Sequence, residues 1–167
     1  GWGLGCNGLH FIDLFFYLSG GSDFQIDNKY LLKRIYEAKR KGFKEINGML
    51  IGVIDNNYTF CINCFEEYSP VRIGIASDRL SILIDEIGNY YIISTKDNNW
   101  ISEKKEEKIV YLQSEITKML LEEIFIHSTS SLPSYDEAMK LHLKFLEAII
   151  SHINSFSDIK YDFCPIT

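Results

Sequence analysis

Apolar and polar positions recur along the chain with two different periods. From Gly8 to Leu18 the period is helical. Leu9, Ile12 and Phe16, flanked by Phe11, Leu14 and Phe15, make a broad apolar surface that His10 and Asp13 interrupt. Asn7 is a good N-cap residue, and Ser19-Gly20-Gly21 supplies the glycines expected past a helix end. With Asn7 as the cap, His10 falls in the first turn. There the helix dipole disfavours a protonated imidazole and leaves the ring able to accept a proton. Cys6, Asn7 and His10 can then converge on one point. The plainer alternative is a core helix whose histidine bonds to a backbone carbonyl.

Residues 22–41 read less clearly. Asp27 could cap a helix carrying Tyr30, Leu31, Ile35 and Ala38 on its apolar side, with Lys33, Arg34, Lys39, Arg40 and Lys41 towards its end. These are the densest basic cluster in the chain. They either answer a helix dipole in solvent or form a cationic wall for an anionic ligand.

From Phe43 the period drops to two, and strands are expected at 43–54, 58–66, 70–76, 79–85, 90–95 and 107–112. Turn signals separate them, among them Asp55-Asn56-Asn57, Ser69-Pro70, Ser77-Asp78 and Ile87-Gly88-Asn89. Such short connections predict antiparallel neighbours. In 44–54 one face carries Ile46, Gly48, Leu50, Gly52 and Ile54, and the other Asn47, Met49, Ile51 and Val53. The chain's own helices can cover one of these faces; the second calls for a partner subunit, unless it reflects only strand propensity.

Helical spacing returns at 113–126, with Ile116, Met119, Leu120 and Ile124 on one stripe. It returns again after the capping box of Ser134 and Glu137, with Ala138, Leu141, Phe145, Ala148, Ile149 and Ile153 inward. His142 reads as structural, and His127 and His152 lie near helix ends. The apolar tail, 161–167, is expected to dock near the first helix. The fold class is α+β: an open, predominantly antiparallel sheet with helices on one face, the other face free for oligomerisation, over residues 1–167 as a single domain.

Composition narrows the partners. A net charge of −6 argues against nucleic acid and anionic membranes, and 46% hydrophobic residues are enough for a substantial core. No apolar run reaches the roughly 20 residues of a bilayer span. The four cysteines do not suggest a disulfide framework, and a reducing cytoplasm is expected. Cys61 and Cys64 match C-x-x-C, but they sit in a β-prone run where residues three apart face opposite ways, so no metal site is expected. The opening Gly1-Trp2-Gly3-Leu4-Gly5 lacks a preceding strand, and Cys6 stands where the last glycine of G-x-G-x-x-G belongs.

The run G-W-G-L-G-C-N-G-L-H-F-I-D-L resembles the segment that opens the C-terminal domain of the glucose-fructose oxidoreductase / inositol dehydrogenase (Gfo/Idh/MocA) family. Gly1, Gly8, His10, Ile12, Asp13 and Leu14 fall on matching positions. Cys6 departs from the pattern, standing where the family has aspartate. Either Asn7 takes over its hydrogen bonds or the substrate is handled differently. The stretch A-K-R-K-G-F-K-E-I-N-G resembles nucleotide-sugar and surface-polysaccharide members, whose basic pair enters the active-site rim, here Lys39 and Arg40. L-P-S-Y-D-E-A-M-K-L-H-L resembles the family's final helix.

The resemblance implies a substrate-binding and oligomerising domain of an NAD(P)-dependent sugar or nucleotide-sugar oxidoreductase. His10 is then the catalytic acid/base, with Cys6, Asn7, Lys39 and Arg40 at the substrate. The chain opens inside the motif, so a longer natural protein is expected, with NAD or NADP held by an N-terminal nucleotide-binding domain. This chain alone is expected to bind no cofactor and to turn nothing over. The other readings are a non-catalytic α+β module that dimerises or binds a ligand, and a thiol enzyme using Cys6 at a helix N-terminus.

Overall fold

In the computed structural model, residues 3–65 and 70–166 are described. The fold is α+β, with two antiparallel sheets and three helices in two compact units. Gly1, Glu66, Ser69 and Thr167, on which parts of the expected motif, strand, turn and tail fall, lie outside the described residues.

The first unit comprises residues 1–69 and 133–167. Helix α1 (Leu4–Ser19) is followed by strands β1 (Phe24–Asp27), β2 (Leu31–Glu37), β3 (Lys44–Ile54) and β4 (Tyr58–Cys64). Helix α3 (Tyr135–Phe156) returns to the same unit. Strand β3 is the spine: β4 runs along one edge, while β1 and β2 share the other in series. Gly48 lies where β2 is irregular, between Leu31 and Ile35. Its φ is +120°, and an added Cβ would sit 2.7 Å from Tyr30 O and 2.8 Å from Leu31 Cα. Only glycine allows that crossing of backbones.

Helices α1 and α3 pack on one face of this sheet and on each other. Leu4, Ile12 and Phe16 from α1 and Phe145, Ile149 and Ile153 from α3 meet Phe24, Leu50, Ile54, Phe60 and Ile62 in one core. The alternation expected of 44–54 holds from Met49 to Ile54 and breaks at Asn47 and Gly48, where Asn47 is buried and Gly48 half-buried. Ile46, Leu50, Gly52 and Ile54 are buried, whereas Met49, Ile51 and Val53 are half-buried on the face that no helix of this unit covers. Cys64 is buried and Cys61 exposed, as opposite faces of β4 require. The capping box forms as expected, with Glu137 N donating to Ser134 Oγ at 3.3 Å and Ser134 N to Glu137 Oε2 at 2.8 Å. The tail docks where expected: Lys44 N donates to Pro165 O at 2.8 Å, and Ile166 is buried beside Gly5.

The helix anticipated after Asp27 is not formed. Its residues make β1 and β2, because the free edge of β3 offers backbone partners that a short polar helix cannot match. Asp27 instead accepts from Lys29 N at 3.0 Å in the turn between those strands.

The second unit, residues 70–132, is a meander of β5 (Arg72–Ala76), β6 (Leu80–Asp85), β7 (Tyr90–Thr95) and β8 (Glu103–Lys105), then helix α2 (Gln113–His127). The last strand lies earlier than the expected 107–112, since the charged residues 103–105 pair with Tyr91–Ile93. No apolar side chain among the described residues of this unit is fully buried, and α2 does not pack against the strands of its own unit. Among the described residues no helix is long and apolar enough to cross a membrane.

Candidate functional site

The first turn of α1 is built differently from its expected form. The N-cap is Gly3, in an extended conformation and without a side-chain cap. Asn7 is inside the helix, and its Nδ2 donates back to Gly3 O at 3.2 Å. The capping acceptor comes from β3: Glu45 Oε1 takes the Gly5 N–H at 2.6 Å. A Cβ on Gly3 would lie 1.9 Å from Glu45 Oε2, so the glycine leaves room for the carboxylate. An anion belonging to the chain itself thus sits at the positive end of α1.

Two consequences follow for the sequence-derived site. His10 is the seventh residue of the helix and lies beyond its first turn, so the dipole argument made for its ring does not apply. Cys6 remains in the first turn, yet the helix terminus that a thiolate there would use is already matched by Glu45.

Cys6 and His10, four residues apart, lie on one exposed face of α1 that continues through Leu14 and Tyr17. No hydrogen bond or ion pair to the His10 ring occurs among the described residues. Asn7 borders this face, half-buried. Lys39 and Arg40 are exposed in the turn joining β2 to β3, with the Arg40 guanidinium 5.5 Å from the centre of the Phe43 ring. The strand they lead into passes the start of α1 at Glu45, but among the described residues no hydrogen bond joins either cation to Cys6, Asn7 or His10.

His142, read as structural from the sequence, meets Asp13 of α1. Its Nε2 lies 3.4 Å from Asp13 Oδ2, with the two side chains 40% and 28% exposed. The other oxygen, Asp13 Oδ1, is buried without a hydrogen-bond partner. His10 and Asp13 are three residues apart on one helix and are therefore surface neighbours. Asp13, the single acidic residue of an apolar helix, was the available signal; its partner stands 129 positions away in sequence. His152, by contrast, is buried, with Nε2 3.2 Å from Leu32 O and its ring edge-on to Phe156. It is structural.

Among the described residues no group of histidine, cysteine, aspartate or glutamate is arranged to hold a metal ion. A shallow groove runs along α2, lined by Thr117, Leu121, Phe125 and Ile126 among others, and includes none of the residues singled out from the sequence. Compared with models of known protein families, with curated proteins and with solved structures, the chain matches none.

Proposed function

We propose that this chain is the substrate-binding and oligomerising part of an NAD(P)-dependent sugar or nucleotide-sugar oxidoreductase, arranged as in the C-terminal domain of the Gfo/Idh/MocA family. The observation that carries the reading is the exposure of His10 one helical turn from Cys6, on the α1 face turned away from the core. A ring nitrogen of His10 is there free to exchange a proton with a substrate hydroxyl, Cys6 and Asn7 border the sugar, and Lys39 and Arg40 supply positive charge. Asp13 and His142 fix the α1–α3 contact behind that face.

The dinucleotide is not expected to bind this chain. The helix preceded by the glycine-rich run has its Gly5 N–H taken by Glu45, where a pyrophosphate would need it. In this reading the cofactor belongs to a nucleotide-binding domain outside the chain, and the half-buried Met49/Ile51/Val53 face of the first sheet meets a second subunit. The isolated chain is expected to show no binding of reduced nicotinamide dinucleotide by calorimetry and no turnover of UDP-sugars. Turnover by this chain alone contradicts the reading.

The second reading, a non-catalytic α+β module that dimerises or binds a ligand, is favoured by the half-covered isoleucine face of the second unit. The two are separated by His10→Ala in the protein joined to its nucleotide-binding domain, which abolishes activity only under the first.

A further inference from the structure

Strand β5, Arg72–Ala76, forms one side of the second sheet and is paired only with β6 among the described residues. The opposite side ends in β8, whose three exposed residues are all charged and include an ion pair, Lys105 Nζ to Glu103 Oε2 at 2.9 Å. Charges of that kind keep an edge from pairing. The β5 edge has no such guard. It contains no proline and no bulge, and its one charge, Arg72, is drawn 3.1 Å from Asp85 on β6.

The ladder fixes which backbone groups are free. Glu86 N donates to Val71 O at 3.5 Å, and Ser77 N to Leu80 O at 2.7 Å. Odd-numbered residues from 71 to 77 therefore turn their backbone groups towards β6, and the N–H and C=O of Arg72, Gly74 and Ala76 turn outward. No described residue takes them. Gly74 adds a second observation. A Cβ there would meet nothing within 4 Å, and its φ is not left-handed, so nothing among the described residues calls for a glycine.

We propose that β5 pairs antiparallel with β5 of a second copy of this chain, about a two-fold axis at Gly74. The axis sets Gly74 opposite Gly74, Ile73 opposite Ile75 and Arg72 opposite Ala76. All three outward-facing residues then find partners, in about six hydrogen bonds. An axis at Ile73 would instead set Pro70, which has no N–H, opposite Ala76. Ile73 and Ile75 share a face with their register partners Ile84 and Ile82, and with Ile93. The apolar face therefore runs unbroken across the axis into an eight-stranded sheet, and the interface is isologous. The glycine has a reason there, as a point where another backbone comes close. This interface is an edge, distinct from the open face of the first sheet, and does not depend on the oxidoreductase reading.

The test is sedimentation velocity on the full chain with Gly74→Lys and Gly74→Glu. Each side chain enters open space in the monomer, whereas in the pair two like charges stand directly opposite. The wild type is expected as an even-numbered assembly, each variant at half its mass, and an equimolar mixture of the two at the wild-type mass. Gly74→Pro removes only an N–H that β6 does not use and halves the mass too, so the result does not rest on one substitution. A monomeric wild type, variants that keep the wild-type mass, or a mixture that stays at half mass overturns the proposal.

Discussion

Glu45 Oε1 accepts the backbone N–H of Gly5 at 2.6 Å and that of Ile46 at 3.0 Å, so one carboxylate both ends a helix and steadies the strand beneath it. Contacts 40 positions apart thereby decide where α1 begins. Glu45→Ala strips the helix of its acceptor and leaves a buried N–H unpaired. It is expected to destabilise the first unit by about 1–2 kcal/mol, read as a lower urea midpoint at unchanged slope.

Gly48 marks a tight backbone crossing in the first sheet. With φ at +120° and Tyr30, Leu31 and Leu32 backbone atoms within 2.8 Å of an added Cβ, Gly48→Ala cannot be absorbed by a rotamer change. A loss of roughly 2–4 kcal/mol is expected from strain and displaced pairing, detectable by thermal or urea unfolding. A variant as stable as the wild type would mean the strands do not cross here.

Asp13 and His142 are coupled unequally: one carboxylate oxygen faces the imidazole and the other is buried alone. Removing the histidine strands the whole carboxylate. His142→Leu is therefore expected to be less stable than the double variant Asp13→Leu/His142→Leu, by about 1 kcal/mol, because replacing both polar partners also removes the desolvation cost. Urea midpoints of the wild type, the two single variants and the double variant close the cycle.

Asp85 is expected to make the second unit acid-sensitive. Its carboxylate accepts Gly88 N–H at 2.7 Å and faces Arg72, and these contacts hold it below the usual carboxylate range, the Gly88 bond contributing most. A folded value below the unfolded one gives stability that is complete above about pH 4 and is lost as the pH falls through the folded value. The Gly88 amide resonance should follow that titration. Asp85→Asn should lower stability at neutral pH and erase this component of the acid transition.

The sequence was most legible where one period governed a whole element. Phe145, Ile149 and Ile153 repeat at helical spacing behind a capping box, and α3 follows from them. Ile46, Leu50 and Ile54 alternate, and β3 follows. It was least legible where a distant strand supplied the deciding partner. Asn7 outranks Gly3 as a cap by local preference, but the Glu45 carboxylate moves the helix start back to Leu4. Leu31 and Ile35 fit a helix as well as a strand until the edge of β3 is considered. For the candidate site, Cys6 was expected ahead of the helix and lies inside it, four residues before His10 on one exposed face. The contact between His142 and Asp13 was not legible, since no local pattern joins two residues 129 positions apart.

The central claim rests on His10, exposed on α1 with no intramolecular partner among the described residues. It is tested most directly by steady-state turnover of the protein carrying this chain together with a nucleotide-binding domain, wild type against His10→Ala, followed by reduced-nicotinamide absorbance with UDP-sugars. The account predicts that kcat falls by about 10²–10⁴-fold while dinucleotide binding is unchanged. A variant that turns over within about twofold of the wild type contradicts it.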